Sequence, residues 1–384
     1  MNPLAIETRA AFERLFQTPA EAHFLAPGRV NLIGEHTDYN DGFALPAAID
    51  FHTCLAGKPR ADRIVRLCAL DQGESWSQFS LDEPIERDPK APWSDYLRGV
   101  CHVMLSSGFQ LSGADLLVHG NIPQGTGLSS SASLEVATAR ALTGFSGEAL
   151  DGPAAARFGQ RAENEFVGIQ CGIMDQLVSA CGLAGHATLI DCRSLDIKPV
   201  HLPEDAAIVV INSRIQRGLV DSEYNSRRQQ CEQAARILGV PSLRDATTDD
   251  LIAHQRELPA VTARRARHIL TDNDRTLAMV KALESSDWTA IGKLMAASHA
   301  SMRYDFEITL PAIDELVDAV AAELNGIGGV RMTGGGFGGC MVAVVPQSQV
   351  ETVLKVVERG YPDGRTPAPV AYVCQPVNGA YPQG

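Results

Sequence analysis

PGRVNLIGEHTDYNDG (residues 27–42) places one arginine, three glycines and several polar side chains between short apolar runs. Within this segment Glu35, His36 and Asp38 form a dense polar cluster, and carboxylates beside an imidazole suit the neighbouring hydroxyls of a polyol. The Asp-Tyr-Asn-Asp-Gly run (38–42) is equally typical of a plain surface turn. The spacing alone therefore leaves a polyol-binding segment and a surface turn both open.

A second segment, PQGTGLSSSA (residues 123–132), is a glycine-rich loop that leads directly into a predicted helix. Free backbone N–H groups and the helix dipole at such a junction favour a bound phosphate. Its serine hydroxyls suit phosphate oxygens or the coordination shell of Mg²⁺. The loop lacks the Gly-Lys-Ser/Thr of a Walker A loop, and a serine-capped helix after a glycine turn is the alternative.

A third segment, GGGFGG (residues 334–339), formally satisfies G-x-G-x-x-G. In a dinucleotide fold that motif must open a helix after a strand, whereas here a predicted strand over 341–345 follows. We therefore exclude a dinucleotide fold. The segment predicts a tight loop that packs against another backbone or against a ligand.

Two isolated carboxylates complete the candidate residues. Glu163 lies about one turn from Phe166 in a predicted helix, so it can point inward. Asp175 stands in an apolar setting, where an ionised side chain needs a partner. Each is also compatible with a helix surface or a helix cap, and Trp93 and Tyr224 are equally compatible with core or interface positions.

Composition indicates a globular protein of about two domains. The chain has 384 residues, of which 45% are hydrophobic and 21% charged, and a formal net charge of −13. An acidic surface disfavours nucleic acids and anionic membranes unless a local basic patch exists. The sequence offers one candidate patch, Arg264, Arg265, Arg267 and His268, which we predict to be a solvated helix face.

Cysteine usage and the N-terminus bear on location. The nine cysteines are scattered without a C-x-x-C pair, which favours reduced thiols over a disulfide framework or a zinc site. We find neither a signal peptide nor an apolar run of membrane-spanning length. The sequence therefore predicts a soluble cytoplasmic protein.

Hydrophobic periodicity and cap residues predict an α+β architecture. The first helix should bury one face, and the helix over 310–324 should bury Ile313, Leu316, Val317, Val320 and Leu324. The face of the first helix comprises Ala5, Phe12, Leu15 and Phe16. Further helices are predicted over 129–142, with a serine N-cap, and over 154–167, 221–238 and most of 244–300. Strands are predicted within 43–70 and over 114–123, 205–213 and 341–345. We place a domain boundary near residue 200, giving domains 1–200 and 201–384.

Taken together, these segments resemble a known family. GRVNLIGEHTDYNDGFALP is similar to the signature of galactokinases, and PQGTGLSSSAS and MTGGGFGG resemble the second and third motifs of the GHMP small-molecule kinases. The similarity extends from about residue 20 to 345 through WSDYLRGV, CGIMDQ, LIDCRS, SEYNSRRQQC and SHASMRYDFEIT. On these motifs the chain is identified as a member of the galactokinase family.

The resemblance implies a two-domain GHMP kinase fold. A ribosomal-S5-like N-terminal domain and a ferredoxin-like C-terminal domain would enclose the active site between them. The implied reaction transfers the γ-phosphoryl group of ATP to the C1 hydroxyl of α-D-galactose, giving galactose 1-phosphate and ADP, the first committed step of galactose catabolism (the Leloir pathway). Mg²⁺ would be the cofactor and ATP the co-substrate. The partners would be these small molecules, with no nucleic acid and no membrane, and the protein would be a monomer.

The resemblance also implies roles for individual residues. Arg29 matches the residue that stabilises the developing charge, and Asp175 matches the carboxylate that faces the attacking hydroxyl. Asp175 would act either as a general base or as a group that only orients this hydroxyl; we favour the general base. The sugar-binding positions are Glu35, His36, Thr37, Asp38, Gly172 and Tyr224. The triphosphate-binding positions are Gly125, Thr126, Gly127, Leu128, Ser129, Ser130 and Ser131, with Trp93 and Tyr96 near the adenine. The Mg²⁺ positions are Ser131 and Glu163.

Two other functions remain as alternatives. A non-enzymatic galactose sensor can share this fold, but such proteins lose residues of the second motif, and here Ser131-Ala132 is intact. A kinase for N-acetylgalactosamine would need room at the sugar 2-position, while the first motif follows the galactose form.

Overall fold

The computed structural model describes residues 2–123, 125–215, 220–361 and 363–383. Its strands are β1 (Ala22–Asn31), β2 (Phe43–Ala44), β3 (Pro46–Arg60), β4 (Ile64–Ala69), β5 (Ser75–Ser80), β6 (Gly113–Gly120), β7 (His186–Asp191), β8 (Ile197–His201), β9 (Ala206–Asn212), β10 (Gly329–Thr333), β11 (Cys340–Pro346), β12 (Val370–Cys374) and β13 (Tyr381–Gln383). Its helices are α1 (Pro3–Phe16), α2 (Asp95–Ser106), α3 (Ser130–Ser146), α4 (Gly152–Arg161), α5 (Met174–Cys181), α6 (Val220–Leu238), α7 (Thr248–Ala253), α8 (Ala260–Glu284), α9 (Trp288–Ser301), α10 (Pro311–Leu324) and α11 (Val350–Glu358). The α+β class predicted from the sequence is confirmed.

The first sheet has the strand order β13-β1-β3-β6-β4-β5. Helices α2 to α5 pack on one face, where their apolar residues join those of the strands in a large core. Helix α1 covers the other face with Phe12 and Phe16, which contact the sheet residues Ala56, Cys68 and Leu117. Of the face predicted for α1, Leu15 is half-buried and the other three residues are buried.

The chain returns to this first sheet at its far end. Residues Tyr381 to Gln383 of β13 pair antiparallel with Leu25 to His23 of β1. The outer edge of β1 is therefore occupied by a strand that follows every other described element in sequence. The division into residues 1–200 and 201–384 stays a prediction.

The second sheet has the order β10-β11-β9-β12, with antiparallel pairing throughout. The five residues predicted to form the apolar stripe of α10 are all buried in its core. The helix ends at Asn325 in the left-handed conformation (φ 48°), as the Asn-Gly pair there predicts.

A third core joins the two halves of the chain. Val30, Leu32 and Leu45 from the first motif pack with apolar residues of β9, α8 and β11, among them Val210 and Met279. The small sheet β2-β7-β8 lies beside this core. The first motif is thereby fixed between both halves, which places its polar residues at their junction.

The prediction of a solvated basic face over 264–268 is wrong for two of its residues. Arg265 is 3% exposed and pairs with Glu307 at 2.5 Å, and His268 is fully buried. Helix α8 is packed between α6 and the turn at residues 302–306, so one of its polar faces is inside the protein. None of the helices in the described part of the chain is long and apolar enough to cross a membrane.

Candidate active site

A cavity of about 330 Å³ lies at the junction of the two halves. Its lining includes most of the residues predicted to bind a sugar, together with the two predicted catalytic residues. These are Arg29, Glu35, His36, Asp38, Gly172, Asp175 and Tyr224. Residues as far apart in sequence as Arg29 and Tyr224 are thus brought to one surface, which we call the sugar cavity.

Thr37 does not line the sugar cavity. Its side chain is fully buried, and its hydroxyl lies 2.7 Å from the carbonyl oxygen of Phe43 and 3.0 Å from that of Gly34. Its own carbonyl accepts hydrogen bonds from the N–H groups of Asn40 and Gly42. Thr37 therefore closes the turn that presents its neighbours.

The aromatic residues of the site surround His36. The ring of Tyr224 packs on the imidazole with a centroid separation of 5.1 Å, and the Tyr39 hydroxyl lies 2.9 Å from Nδ1. Burial raises the pKa of both tyrosines well above its ordinary value, so both stay neutral hydrogen-bonding groups at physiological pH. The imidazole is consequently held at a fixed angle in the wall of the sugar cavity.

Gly172 and Asp38 meet in the same wall. A Cβ atom on Gly172 would lie 2.0 Å from Oδ2 of Asp38, so no larger residue fits opposite that carboxylate. Burial, and then the charges of Asp175 and Glu35, raise the pKa of Asp38 to about 6. Asp38 is thus a carboxyl group that changes its protonation state close to neutral pH.

Arg29 and Asp175 form a two-pronged ion pair. Nε and Nη2 of Arg29 donate to Oδ1 and Oδ2 of Asp175 at 2.8 and 2.7 Å, and Nη1 donates to the carbonyl oxygen of Gly127 at 2.6 Å. This parallel fork is the strong, directional geometry of an arginine–carboxylate pair. Arg29 is 7% exposed, so its guanidinium is held in one orientation.

The position of Arg29 depends on an irregularity in β1. The register of β1 against β3 shifts between Pro27 and Gly28, and the N–H of Arg29 donates to the carbonyl oxygen of Leu128. A Cβ atom on Gly28 would lie only 2.7 Å from that oxygen, which explains why glycine precedes the arginine. The first motif and the glycine-rich second motif are therefore in direct backbone contact.

The second motif lines an adjoining cavity of about 540 Å³, which we call the phosphate cavity. Arg29 and Asp175 line both cavities, so the ion pair stands on their common boundary. Of the predicted triphosphate positions, Gly125, Gly127, Leu128, Ser129, Ser130 and Ser131 line the phosphate cavity. Thr126 is buried instead, and its hydroxyl donates to the carbonyl oxygen of Pro123.

The serine cap expected for this helix is absent. Ser129 precedes α3 with a left-handed backbone (φ 61°), and its side chain makes no capping hydrogen bond. The hydroxyl donates instead to Oδ2 of Asp175 at 2.5 Å. The N–H groups at the start of α3 are thus left without a side-chain cap, as a phosphate-binding helix terminus requires.

Trp93 and Tyr96 line a third cavity of about 220 Å³, which we call the base cavity. Ser130 and Ser131 line it too, so it adjoins the end of the phosphate cavity. The indole N–H of Trp93 donates to Ser75, which leaves its ring face as an apolar wall. The two aromatic residues predicted near the adenine are thus placed beside the predicted phosphate-binding serines.

A group of buried carboxylates lies behind Ser131. Glu163 is in a π-helical turn that continues α4, and it is 7% exposed. The amide nitrogen of Gln176 donates to both Glu163 and Glu135 at 3.0 Å, and a hydrogen bond from Ser131 reaches Glu163. Burial raises the pKa of Glu163. Burial, and then the charge of Glu163, raise the pKa of Glu135 well above its ordinary value.

These residues fit a magnesium ion that is shared with phosphates. Oε1 of Glu135 and Oε1 of Gln176 are buried without a hydrogen-bond partner, so added positive charge would stabilise this group. Within the described ranges, no three His, Cys, Asp or Glu side chains are arranged to hold a metal ion by themselves. One hydroxyl and one carboxylate are, however, the sparse oxygen set that Mg²⁺ uses when phosphates and water complete its shell.

Comparison with known proteins agrees with this geometry. The galactose-binding signature of galactokinases matches residues 10–59, and the N-terminal and C-terminal domains of the GHMP kinases match 95–183 and 279–363. The crystal structure of Lactococcus lactis galactokinase complexed with galactose is 32% identical, with a TM-score of 0.91 over 98% of this chain and 99% of that one. The chain belongs to the galactokinase family. The family membership and the two-domain GHMP kinase fold expected from the motifs are thus confirmed.

More distant relatives of the galactokinase family share the fold alone. Methanococcus jannaschii mevalonate kinase is 18% identical with a TM-score of 0.65, covering 93% of this chain and 98% of that one. Streptococcus pneumoniae phosphomevalonate kinase is 12% identical with a TM-score of 0.63, covering 91% and 98%. As a GHMP kinase with the galactokinase signature, the protein is an ATP-dependent sugar kinase.

Sequence reasoning missed the residues that hold the first motif from behind. Arg331 contacts Glu35 directly, and His268 and Asp272 hold the backbone of Glu35. Two signals were present in the sequence. Arg331 is a lone charge in the buried strand GVRMT, and His268 and Asp272 are spaced for one helix face.

Proposed function

We propose that Arg29 and Asp175 carry the chemical step of the galactokinase reaction in this protein. As a galactokinase-family member, the protein transfers the γ-phosphoryl group of ATP to the C1 hydroxyl of α-D-galactose, giving α-D-galactose 1-phosphate and ADP. One observation carries the assignment of the two residues. Their ion pair stands on the boundary between the sugar cavity and the phosphate cavity, where acceptor and donor must meet.

Asp175 acts as the general base. It accepts two hydrogen bonds from Arg29 and one from Ser129, the pattern of an ionised carboxylate. As the C1 oxygen bonds to the γ-phosphorus, its proton passes to a carboxylate oxygen of Asp175, and the bond from phosphorus to the bridging oxygen of ADP breaks. Arg29 stabilises the negative charge on the transferring oxygens from a fixed position.

The sugar is bound by the polar wall of the sugar cavity. Glu35 and Asp38 accept hydrogen bonds from sugar hydroxyls, while His36 and Tyr224 supply an amphipathic surface. Gly172 leaves the room that Asp38 requires. Thr37, which closes the turn, supports this set without touching the sugar.

ATP occupies the other two cavities. Its phosphates lie along residues 125–131, and its adenine lies against Trp93 and Tyr96 in the base cavity. Ser131 and Glu163 would hold Mg²⁺. When bound, this ion would neutralise negative charge on the phosphates of ATP.

We further propose that the protein works as a cytoplasmic monomer without nucleic-acid or membrane partners. The net charge of −13 supports the exclusion of polyanions, and the nine cysteines are free thiols in the structure, which suits a reducing compartment. Light scattering coupled to gel filtration tests the monomer directly, because a dimer would double the 41.1 kDa mass.

Turnover of the Asp175→Asn variant tests the proposed mechanism. ADP release is measured with Mg-ATP and galactose, glucose, N-acetylgalactosamine, mevalonate or homoserine, and galactose binding is measured by calorimetry. The expected result is turnover on galactose that falls about 10²–10⁴-fold in the variant, the usual contribution of a general base, with galactose still bound. Asp41→Asn is the matched control, since Asp41 also pairs with an arginine, Arg193, but does not line the sugar cavity.

Three results would contradict this assignment. Undiminished turnover in Asp175→Asn would exclude the base. Binding of galactose by the native protein without any ADP release would indicate a sensor. Preferred turnover of N-acetylgalactosamine would overturn the sugar assignment.

A further inference from the structure

The third motif, residues 334–339, has no part in the mechanism above, yet it lies against Glu35. The backbone N–H of Gly334 donates to Oε1 of Glu35 at 2.9 Å. The Thr333 hydroxyl lies 3.1 Å from the same oxygen and 2.8 Å from the carbonyl oxygen of Asn31, and it can donate to one of them at a time. Residues 299 positions apart in sequence thus meet at a single carboxylate oxygen.

Arg331 completes this arrangement from inside the protein. Its Nη2 lies 3.0 Å from Oε1 of Glu35, and its Nη1 donates to the carbonyl oxygen of Leu32 at 2.8 Å. The arginine is fully buried, and its Nε has no hydrogen-bond partner among the described residues. Burying a guanidinium is costly unless it is paired, and Glu35 supplies the pairing charge.

The backbone of Glu35 is fixed from helix α8. Its N–H donates to Asp272 at 3.2 Å, and its carbonyl oxygen lies 3.1 Å from Nε2 of His268. A carbonyl oxygen can only accept, so Nε2 carries the proton, and Nδ1 then accepts from the Ser301 hydroxyl at 2.9 Å. Burial lowers the pKa of His268 to about 4, which keeps this neutral form at physiological pH.

One atom of Glu35 is left for a ligand. The backbone N–H, the carbonyl oxygen and Oε1 are all engaged by residues from 268 to 334. None of the described residues donates a hydrogen bond to Oε2, although Glu35 is 3% exposed and lines the sugar cavity. With Oε1 saturated, Oε2 is the oxygen of this carboxylate that is left to accept a hydrogen bond from a ligand in the sugar cavity.

We propose that Arg331 is a positioning residue for sugar recognition, and that with Gly334 it directs Oε2 of Glu35 towards one hydroxyl of the bound sugar. This rests on the proposed sugar-binding role of Glu35. Selectivity for that hydroxyl is then set by residues in the second half of the chain, although the carboxylate that binds the hydroxyl lies in the first half. Arg331 itself touches no substrate.

Arg331→Lys is the principal test, because lysine keeps the charge but cannot supply two N–H groups in a fixed plane. We expect the KM for galactose to rise about 10-fold or more, as loss of a charge-assisted hydrogen bond implies. The KM for ATP and the kcat at saturating galactose should stay within about 2-fold. Arg331→Met is a second variant, and calorimetric binding of galactose is the readout wherever turnover is too weak to fit.

Arg227→Lys is the matched control. Arg227 is also buried in the second half of the chain and donates to the carbonyl oxygens of Phe306 and Glu307, but it does not contact Glu35. A general loss of folding stability would lower the thermal midpoint of both variants alike. A change in galactose KM confined to the Arg331 variant is the signature of positioning.

Monodeoxygalactoses identify the hydroxyl concerned. Glu35→Gln should remove the discrimination against one deoxy sugar, and Arg331→Lys should reduce discrimination at that same position. In the doubly substituted protein the two effects should not add, because both act through one oxygen.

The outcomes separate the two proposals. If Glu35→Gln leaves galactose recognition unchanged, the proposed sugar-binding role of Glu35 fails, and this inference fails with it. If Glu35→Gln weakens recognition but Arg331→Lys does not, or weakens it equally for every deoxy sugar, the positioning role alone is refuted.

Discussion

Replacing Ser129 by alanine should slow the chemical step without weakening the binding of galactose. The Ser129 hydroxyl donates to Oδ2 of Asp175 at 2.5 Å, and Ser129 lines the phosphate cavity but not the sugar cavity. A hydrogen bond to a charged group contributes about 1.5–3 kcal/mol. The carboxylate of Asp175 is 31% exposed, so water offsets part of the loss and we take the lower end of that range. About 1.5 kcal/mol corresponds to a roughly 10-fold fall in kcat.

Stability should change little in this variant. Ser129 makes no capping hydrogen bond, so the cost of about 1 kcal/mol that usually follows loss of a serine cap does not apply. The strained left-handed backbone is borne by serine and alanine alike. Steady-state kinetics and thermal unfolding on one preparation therefore measure two separate quantities.

Ser133→Ala is the matched control on the next turn of α3. Its hydroxyl donates to the carbonyl oxygen of Ala26 at 2.7 Å and accepts from the N–H of Thr53, both within the core. The control should lower the thermal midpoint and leave kcat near normal. A normal kcat in Ser129→Ala, or a fall in its thermal midpoint instead, would refute the assignment of this hydroxyl to Asp175.

Three further predictions concern the wall of the sugar cavity and the proposed Mg²⁺ site. Gly172→Ala should raise the KM for galactose about 10-fold or more and leave the KM for ATP unchanged, because the Cβ atom of the alanine would displace Oδ2 of Asp38. Unchanged steady-state constants would contradict this prediction. With a folded-state pKa of about 6 against 3.8 unfolded, Asp38 binds its proton more readily in the folded protein. Its contribution to the free energy of unfolding should therefore grow as the pH falls below 6, by about 1.4 kcal/mol at pH 5 and by at most about 3 kcal/mol below pH 3.8. Thermal midpoints of the native protein and Asp38→Asn from pH 8 to 5 should therefore converge or cross in that window, and parallel curves would exclude the effect. Glu163→Gln should raise the Mg²⁺ concentration for half-maximal activity about 10-fold and weaken the binding of Mn²⁺ measured by electron paramagnetic resonance. Glu135→Gln should change both quantities less than about 3-fold, because the carboxyl of Glu135 has a pKa well above its ordinary value and is therefore neutral already. Equal effects of the two substitutions would refute this distinction.

The local sequence pattern predicts well those structural features that residues a few positions apart determine. The apolar stripe of α10 and its Asn325 terminus follow from periodicity and turn chemistry, and both form as predicted. The glycine-rich loop before α3 likewise follows from spacing. Within such segments, the residues that decide the structure are a few positions apart, so their pattern is visible in one dimension.

The partners of buried polar residues are fixed by packing between distant segments. The basic run over 264–268 predicts Arg265 and His268 in solvent, but α6 and the 302–306 turn cover that face of α8. The serine-rich start of α3 predicts a serine cap, yet the hydroxyl of Ser129 donates to the nearby carboxylate of Asp175, which is the stronger acceptor. Spacing along the chain carries no information on what lies across a tertiary contact, so the lone charge of Arg331 in GVRMT indicates that a partner is needed but not that the partner is Glu35.

The pairing of β13 with β1 has a consequence for synthesis of the protein. Leu25 acquires its partner only when Tyr381 has been made, which at about 5–20 residues per second is on the order of tens of seconds later. Until then the strand that carries Arg29 has an unpaired outer edge, the kind of surface on which nascent chains associate. The interval in which a nascent chain is most exposed to aggregation is thus set by the translation of everything between these two strands.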